Sequence, residues 1–176
     1  MNCANFQANL LSSRTNNFLY GLIYNFPGLY FRQIQRTSDI PIGTLNHRLG
    51  QLNKYNLIIG DIILKKKRFF VSSVNAEERK LIGILREAKI KEIIKIIQNK
   101  NSINYEYLSE ELNITKSTVS WHIRRLENEG ILKIENNQCG RTYFLKDSSM
   151  IDNVLSKYEK SFSEKMLNNF MSMWEF

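Results

Sequence analysis

Residues 115–132 read TKSTVSWHIRRLENEGIL. Val119, Ile123 and Leu126 fall at i, i+4 and i+7, so a helix over this stretch gathers them on one face. Lys116, Ser117, Ser120, Trp121, Arg124 and Arg125 occupy the rest of its circumference. An ordinary surface helix shows the same apolar stripe. This one differs because its polar side carries no acid before Glu127 and sets small hydroxyls in the first turn. Short donors near the start and cations further along suit a helix that approaches base edges and phosphates in a DNA major groove.

Residues 30–58, YFRQIQRTSDIPIGTLNHRLGQLNKYNLI, align without a gap on residues 104–132, NYEYLSEELNITKSTVSWHIRRLENEGIL. Thr44 falls on Thr118, 74 positions on, and Ile34, Ile40, Leu45, Leu49 and Leu52 fall on Leu108, Ile114, Val119, Ile123 and Leu126. Both copies run on into paired β-prone segments. LIIGDIILKKKRFFVSS surrounds Lys65, Lys66, Lys67 and Arg68, and ILKIENNQCGRTYFL surrounds Asn136–Gly140 and Arg141. Helix, turn, helix and hairpin in that order predict a winged helix-turn-helix, twice over.

Each copy has a helix before it. Residues 16–26, NNFLYGLIYNF, are ended by Pro27-Gly28, and Ile90, Ile93, Ile94 and Ile97 form a stripe at helical spacing. Asn75 with Glu78 reads as a helix start and marks the expected boundary. The domains are therefore expected at residues 1–74 and 75–147. A long amphipathic C-terminal helix is expected over residues 148–176, giving a mainly α fold with small β-hairpin wings. Ile151, Leu155, Tyr158, Phe162, Met166, Phe170 and Trp174 line that helix. This aromatic payload is expected to hold a homodimer, the alternative being that the helix folds back onto residues 76–98.

Charge is divided unevenly. The net charge is +8, yet residues 1–74 hold nine Lys/Arg against two acids and residues 75–176 hold sixteen against fifteen. Cations concentrated on one domain point to a polyanionic partner, and the run Lys65, Lys66, Lys67 and Arg68 is expected to clamp phosphates.

STVSWHIRRLENEGIL resembles the recognition helix and first wing strand of ArsR- and MarR-like winged-helix transcription regulators, and the two-copy layout is similar to archaeal tandem winged-helix regulators. The resemblance covers residues from about 16 to the end. It implies a base-reading surface of Lys116, Ser117, Ser120, Trp121 and Arg124 in the second copy, and of Ile42, Gly43, Asn46, His47 and Gln51 in the first. Ile42-Gly43 stands where that pattern has a polar pair.

Other functions lack their residues. Cys3 and Cys139 are far apart without a CxxC, and the two histidines, His47 and His122, stand beside no nucleophile or carboxylate pair. Cys139, between Gln138 and Gly140-Arg141, reads as a small turn residue, with a redox-sensing thiol as its alternative. No Gly-rich phosphate loop occurs, and the longest apolar runs fall short of the roughly 20 residues that span a bilayer. Neither catalysis nor a cofactor, metal or membrane is expected, and Met1–Asn17 is a poor signal peptide, which suits the cytoplasm. The expectation is a sequence-specific regulator of double-stranded DNA. A winged-helix subunit that docks onto other proteins is the alternative.

Overall fold

The computed structural model describes residues 3–100, 102–137 and 140–174. They form two compact units, one of Met1–Gly83 with Lys157–Phe176 and the other of Ile84–Ser156. In the first unit α1 (Cys3–Leu11) and α2 (Arg14–Asn25) precede the strand β1 (Leu29–Tyr30), α3 (Phe31–Ser38), α4 (Ile42–Lys54), and the hairpin of β2 (Ile58–Ile63) and β3 (Lys66–Val71). After α5 (Ala76–Leu85), the second unit repeats the order with α6 (Ala88–Lys100), β4 (Ile103–Asn104), α7 (Tyr105–Glu111), α8 (Lys116–Asn128), β5 (Leu132–Asn137) and β6 (Gly140–Leu145). Then follow α9 (Ser148–Tyr158), a 3-10 turn at Glu159–Phe162, and α10 (Glu164–Ser172).

The 74-residue offset seen in the sequence holds in the strand register. Leu29 pairs with Phe69 and Tyr30 with Arg68, while Ile103 pairs with Tyr143 and Asn104 with Thr142. Each unit is thus a three-stranded antiparallel sheet, ordered β1-β3-β2 in one and β4-β6-β5 in the other. Left-handed backbone recurs at the same offset. Asp39 (φ 52°) and Asn113 (φ 48°) occupy the turns before α4 and α8, and Asn56 (φ 55°) and Gly130 (φ 68°) follow those helices. Asn, Asp and Gly are the residues that enter this region at least cost. The second pair lets Leu57 donate to the Leu52 carbonyl at 3.0 Å and Ile131 to the Leu126 carbonyl at 2.9 Å, which ends each helix and aims the chain into a strand.

The apolar stripes are buried as their spacing predicts. Phe18, Leu19, Leu22 and Ile23 of α2 are buried, as are Ile34, Leu45, Leu49, Leu52, Ile58 and Phe70. In the second unit Ile90, Ile93, Ile94 and Ile97 are buried, as are Leu108, Val119, Ile123, Leu126 and Tyr143. Each such side chain contributes roughly 1.5–3 kcal/mol by leaving water. Gly28, at φ 84°, makes the tight connection from α2 to β1. Its amide donates to the Phe69 carbonyl and its carbonyl accepts from Arg68 Nη1, both at 2.8 Å.

The C-terminal segment departs from expectation in two ways. The single long helix over 148–176 is broken, because Ser163 takes an extended conformation (φ −87°, ψ 123°) and caps α10 by accepting the Met166 amide. The boundaries move with it: residues 157–176 join the first unit, where α10 lies against α3. Phe170 stacks on Phe18 at 6.2 Å between ring centres and meets Phe26 edge-on at 5.6 Å, and Trp174 meets Phe18 at 5.4 Å. Phe170 and Trp174 thus find ring partners within the first unit, while Met166 and Met173 of the same segment stay exposed. In the second unit α9 buries Ile151 and Val154, and Asp152 accepts from Gln98 Nε2 at 2.7 Å.

Phe170→Ala is accordingly expected to destabilise the first unit by about 2 kcal/mol, less than a fully buried Phe because the ring is half-exposed. The check is the midpoint of urea unfolding. An unchanged midpoint would mean that α10 does not cover Phe18.

Candidate nucleic-acid interface

In α8 the core stripe of Val119, Ile123 and Leu126 leaves Lys116, Ser117, Trp121 and Arg124 exposed and Ser120 and Arg125 half-exposed. The start of the helix is pinned by side chains. The Thr115 hydroxyl accepts the Thr118 amide at 3.3 Å and lies 2.9 Å from the hydroxyls of both Ser117 and Thr118. Tyr105 donates its hydroxyl to the Lys116 carbonyl, and Lys116 Nζ lies 3.8 Å from the Glu106 carboxylate. One turn on, the Arg125 guanidinium stacks 4.3 Å from the centre of the Trp121 ring. The His122 ring meets the same indole edge-on, 4.8 Å between ring centres. Short hydroxyls, two exposed cations and one ordered aromatic plate thus share the outward side of a helix whose other side is locked into a core.

The corresponding helix of the first unit is built differently. Pro41 stands where Thr115 does, and α4 has no side-chain cap. Ile42 is 59% exposed in the first turn. A Cβ added at Gly43 would meet nothing within 4 Å, so packing does not require this glycine. Asn46 and His47 are exposed, and the Gln51 side chain accepts from Arg48 Nη1 at 3.5 Å.

The basic run divides at the hairpin. Ile63 pairs with Lys66, leaving Leu64 and Lys65 as a two-residue turn with φ of 50° and 64°. This left-handed pair matches the twist of a hairpin but costs non-glycine residues about 1–2 kcal/mol each. Lys65 and Lys67 are exposed, Lys66 half-exposed with its Nζ 5.0 Å from the Tyr30 ring centre, and Lys67 Nζ lies 5.8 Å from that of Phe69. Arg68, expected beside the lysines on the surface, is instead 1% exposed. It occupies the central strand of its sheet opposite both Tyr30 and Asp61, donates to the Gly28 carbonyl, and is overlain by α5 at Gly83, where a Cβ would come within 3.1 Å of Arg68 Cδ. It is part of the sheet's interior and is withdrawn from the phosphate clamp. In the second hairpin Arg141 is exposed opposite Asn136. Cys139 and Gln138 lie outside the described residues.

Two exposed cations escaped the sequence reading. Arg32 and Arg36 of α3 are four residues apart and so share a face, in a helix without an acid. Their spacing was the available signal. The equivalent α7 carries Glu106, Glu110 and Glu111 and no base. His122 is buried with its Nδ1 lacking a hydrogen-bond partner. Burial, then the Arg125 charge, hold its pKa below the usual 6.5; Glu87 pulls the other way, and Lys89 adds a lesser push downward. Among the described residues no cluster of three His, Cys, Asp or Glu side chains is placed to hold a metal, and no helix is long and apolar enough to cross a membrane.

Residues 86–133 match the family described as winged helix-turn-helix DNA-binding, a span that runs from just before α6 into β5. The chain is also similar to an uncharacterized HTH-type transcriptional regulator of Methanocaldococcus jannaschii, with 24% identity over 139 residues. That match takes in 79% of this chain and 35% of the relative, so the chain spans about a third of the relative's length. No solved structure matches the chain at a significant level.

The contrast within the basic run is measurable. Arg68→Ala, which removes a buried donor from the Gly28 carbonyl, is expected to cost about 1–3 kcal/mol of stability, whereas Lys65→Ala should fall within about 0.5 kcal/mol of the parent. Urea unfolding distinguishes them, and equal effects would contradict the burial of Arg68. His122 predicts a pH dependence. As pH falls below 6.5, the unfolded chain takes the proton before the folded one, so the second unit loses stability from there down to the lowered folded pKa and is unaffected above. Thermal melting between pH 7 and pH 5 should show this fall, reduced in His122→Phe. A parent and variant with the same slope would assign it to other groups.

Proposed function

We propose that this protein is a sequence-specific, double-stranded DNA-binding transcription regulator of the cytoplasm, in which both units are winged helix-turn-helix domains in tandem. The observation that carries the reading is the outward side of α8, where Lys116, Ser117, Ser120, Trp121 and Arg124 face away from a helix-turn-helix core. The family match over residues 86–133 and the name of the M. jannaschii relative support it, as do the common element order and strand register of the two units for the tandem arrangement. The resemblance to ArsR- and MarR-like and archaeal tandem regulators is part of the same proposal.

The roles divide by chemistry. Ser117, Ser120 and Arg124 read or approach base edges, and Arg124 donating to a guanine in bidentate fashion would be worth about 1–3 kcal/mol of discrimination. Lys116, Arg125 and Arg141 meet phosphates in the second unit. Lys65, Lys66 and Lys67 at the first hairpin, with Arg32 and Arg36 of α3, give the first unit its phosphate grip. Asn46, His47 and Gln51 are its candidates for base contact. A homodimer through the C-terminal segment, on which Met166 and Met173 stay exposed, is part of the same proposal.

A protein-docking role for the second unit is favoured by one observation, the acidic α7 with Glu106 drawing on Lys116. Acidic groups beside a recognition helix repel phosphate. Salt-dependent binding of the full chain to random and selected duplexes separates the readings. The DNA regulator predicts affinity that falls steeply with salt, and the Lys65→Ala, Lys66→Ala, Lys67→Ala triple variant should weaken all duplexes alike and reduce the logarithmic slope by about 2–3, near one for each phosphate released. Binding that ignores both salt and the triple substitution would overturn the phosphate grip.

A further inference from the structure

We propose that Trp121 reads the 5-methyl group of a thymine, making the second unit selective for a thymine at one position of its site. The inference rests on the DNA-binding reading above and names what one part of that surface recognises. Trp121 is 55% exposed on a helix whose exposed side is otherwise polar. On a helix lying in the major groove, an exposed apolar ring set among donors meets the thymine methyl, the apolar group that base edges offer there.

The indole is also held still. Arg125 stacks on its ring at 4.3 Å and His122 meets it edge-on at 4.8 Å, so two neighbours fix the side chain before any ligand arrives. A fixed plate loses little side-chain freedom on binding, which favours contact with a group as small as a methyl. Its surroundings on α8 suit DNA. Ser117 lies one turn before it, and Arg124 and Arg125 lie within a turn after it, so apolar contact is bordered by donors for bases and phosphates. The stack gives Arg125 a second role, since the ring restrains the guanidinium that faces the backbone. The counterpart of Trp121 in the first unit is His47, 74 positions earlier, which presents no comparable apolar plate. The indole plate is therefore a feature of α8, whereas the exposed apolar side chain of α4 is the smaller Ile42 in its first turn.

The test uses the full chain and duplexes enriched from random DNA by selection for binding. Each thymine in the bound site is replaced singly by deoxyuridine, which keeps base pairing and removes only the methyl, and affinities are compared for the parent, Trp121→Ala and Asn153→Ala, an exposed position on α9 away from the proposed interface. The parent is expected to lose about fourfold at one thymine, the worth of one buried methyl-sized group. Trp121→Ala should bind the thymine and deoxyuridine duplexes equally, while Asn153→Ala keeps the parent's difference. Trp121 is exposed, so the variant is expected to melt as the parent does, and the parent's own deoxyuridine series stands without it. Equal binding of thymine and deoxyuridine at every position by the parent would overturn the methyl reading and leave DNA binding intact. A difference that survives in Trp121→Ala would overturn it too, by assigning the effect to DNA shape or another residue. Failure to bind or enrich any duplex would overturn both this inference and the function it rests on.

Discussion

One short antiparallel pairing completes the sheet of each unit: β1 on β3 through Leu29 and Phe69 in the first, and β4 on β6 through Ile103 and Tyr143 in the second. A hairpin alone is marginal in water, and a third strand with an apolar face makes it stable. The third strand here is a two-residue segment, lying between α2 and α3 in the first unit and between α6 and α7 in the second. Because α3 and α7 start at the residue after it, the same pairing that completes the sheet also fixes where the helix-turn-helix begins. In the first unit Gly28 reinforces this from both sides, through its amide to Phe69 and its carbonyl to Arg68. The outward side of the recognition helix and the hairpin tip are consequences of that joint.

On this shared frame the two units carry different chemistry. The first has Arg32, Arg36 and the three hairpin lysines exposed or half-exposed, with an uncapped α4 that opens on Pro41, Ile42 and Gly43. The second has a well-capped α8 with hydroxyls, Trp121 and Arg124, beside an acidic α7. In the proposed function, attraction to phosphate falls mainly to the first unit and discrimination of bases mainly to the second, since phosphate contacts position a protein on a duplex while base contacts specify the site.

Much of this was legible in the sequence. The period of Val119, Ile123 and Leu126, and its recurrence 74 residues earlier, placed every helix-turn-helix stripe, because burial of apolar residues on one helical face leaves little choice of register. Asp39, Asn56, Asn113 and Gly130 also sit where left-handed backbone requires them. Arg68 departs from the surface run that four successive cations suggest, because its strand has neighbours on both edges and it falls where the sheet, Gly28 and α5 enclose it. The C-terminal helix was read too long because Phe162, Met166 and Phe170 keep helical spacing across Ser163, whose cap to Met166 starts a new helix. Where α10 would pack was not encoded in its own period, since apolar spacing shows which face is buried and not which surface buries it. The Arg125 stack on Trp121 follows from side-chain orientation and is likewise beyond periodicity.

The central claim is that the outward side of α8 and the tip of the first hairpin are the DNA-contacting surfaces. Titrating the isotope-labelled full chain with a selected duplex, and following amide and indole resonances by NMR, reads this residue by residue. The account predicts shifts concentrated at Lys116, Ser117, Ser120, Trp121 and Arg124 and at Lys65–Lys67, with the Phe18–Phe170 contact region of α10 undisturbed. Shifts that spare α8 while gathering on α10 or on the acidic α7 would contradict it.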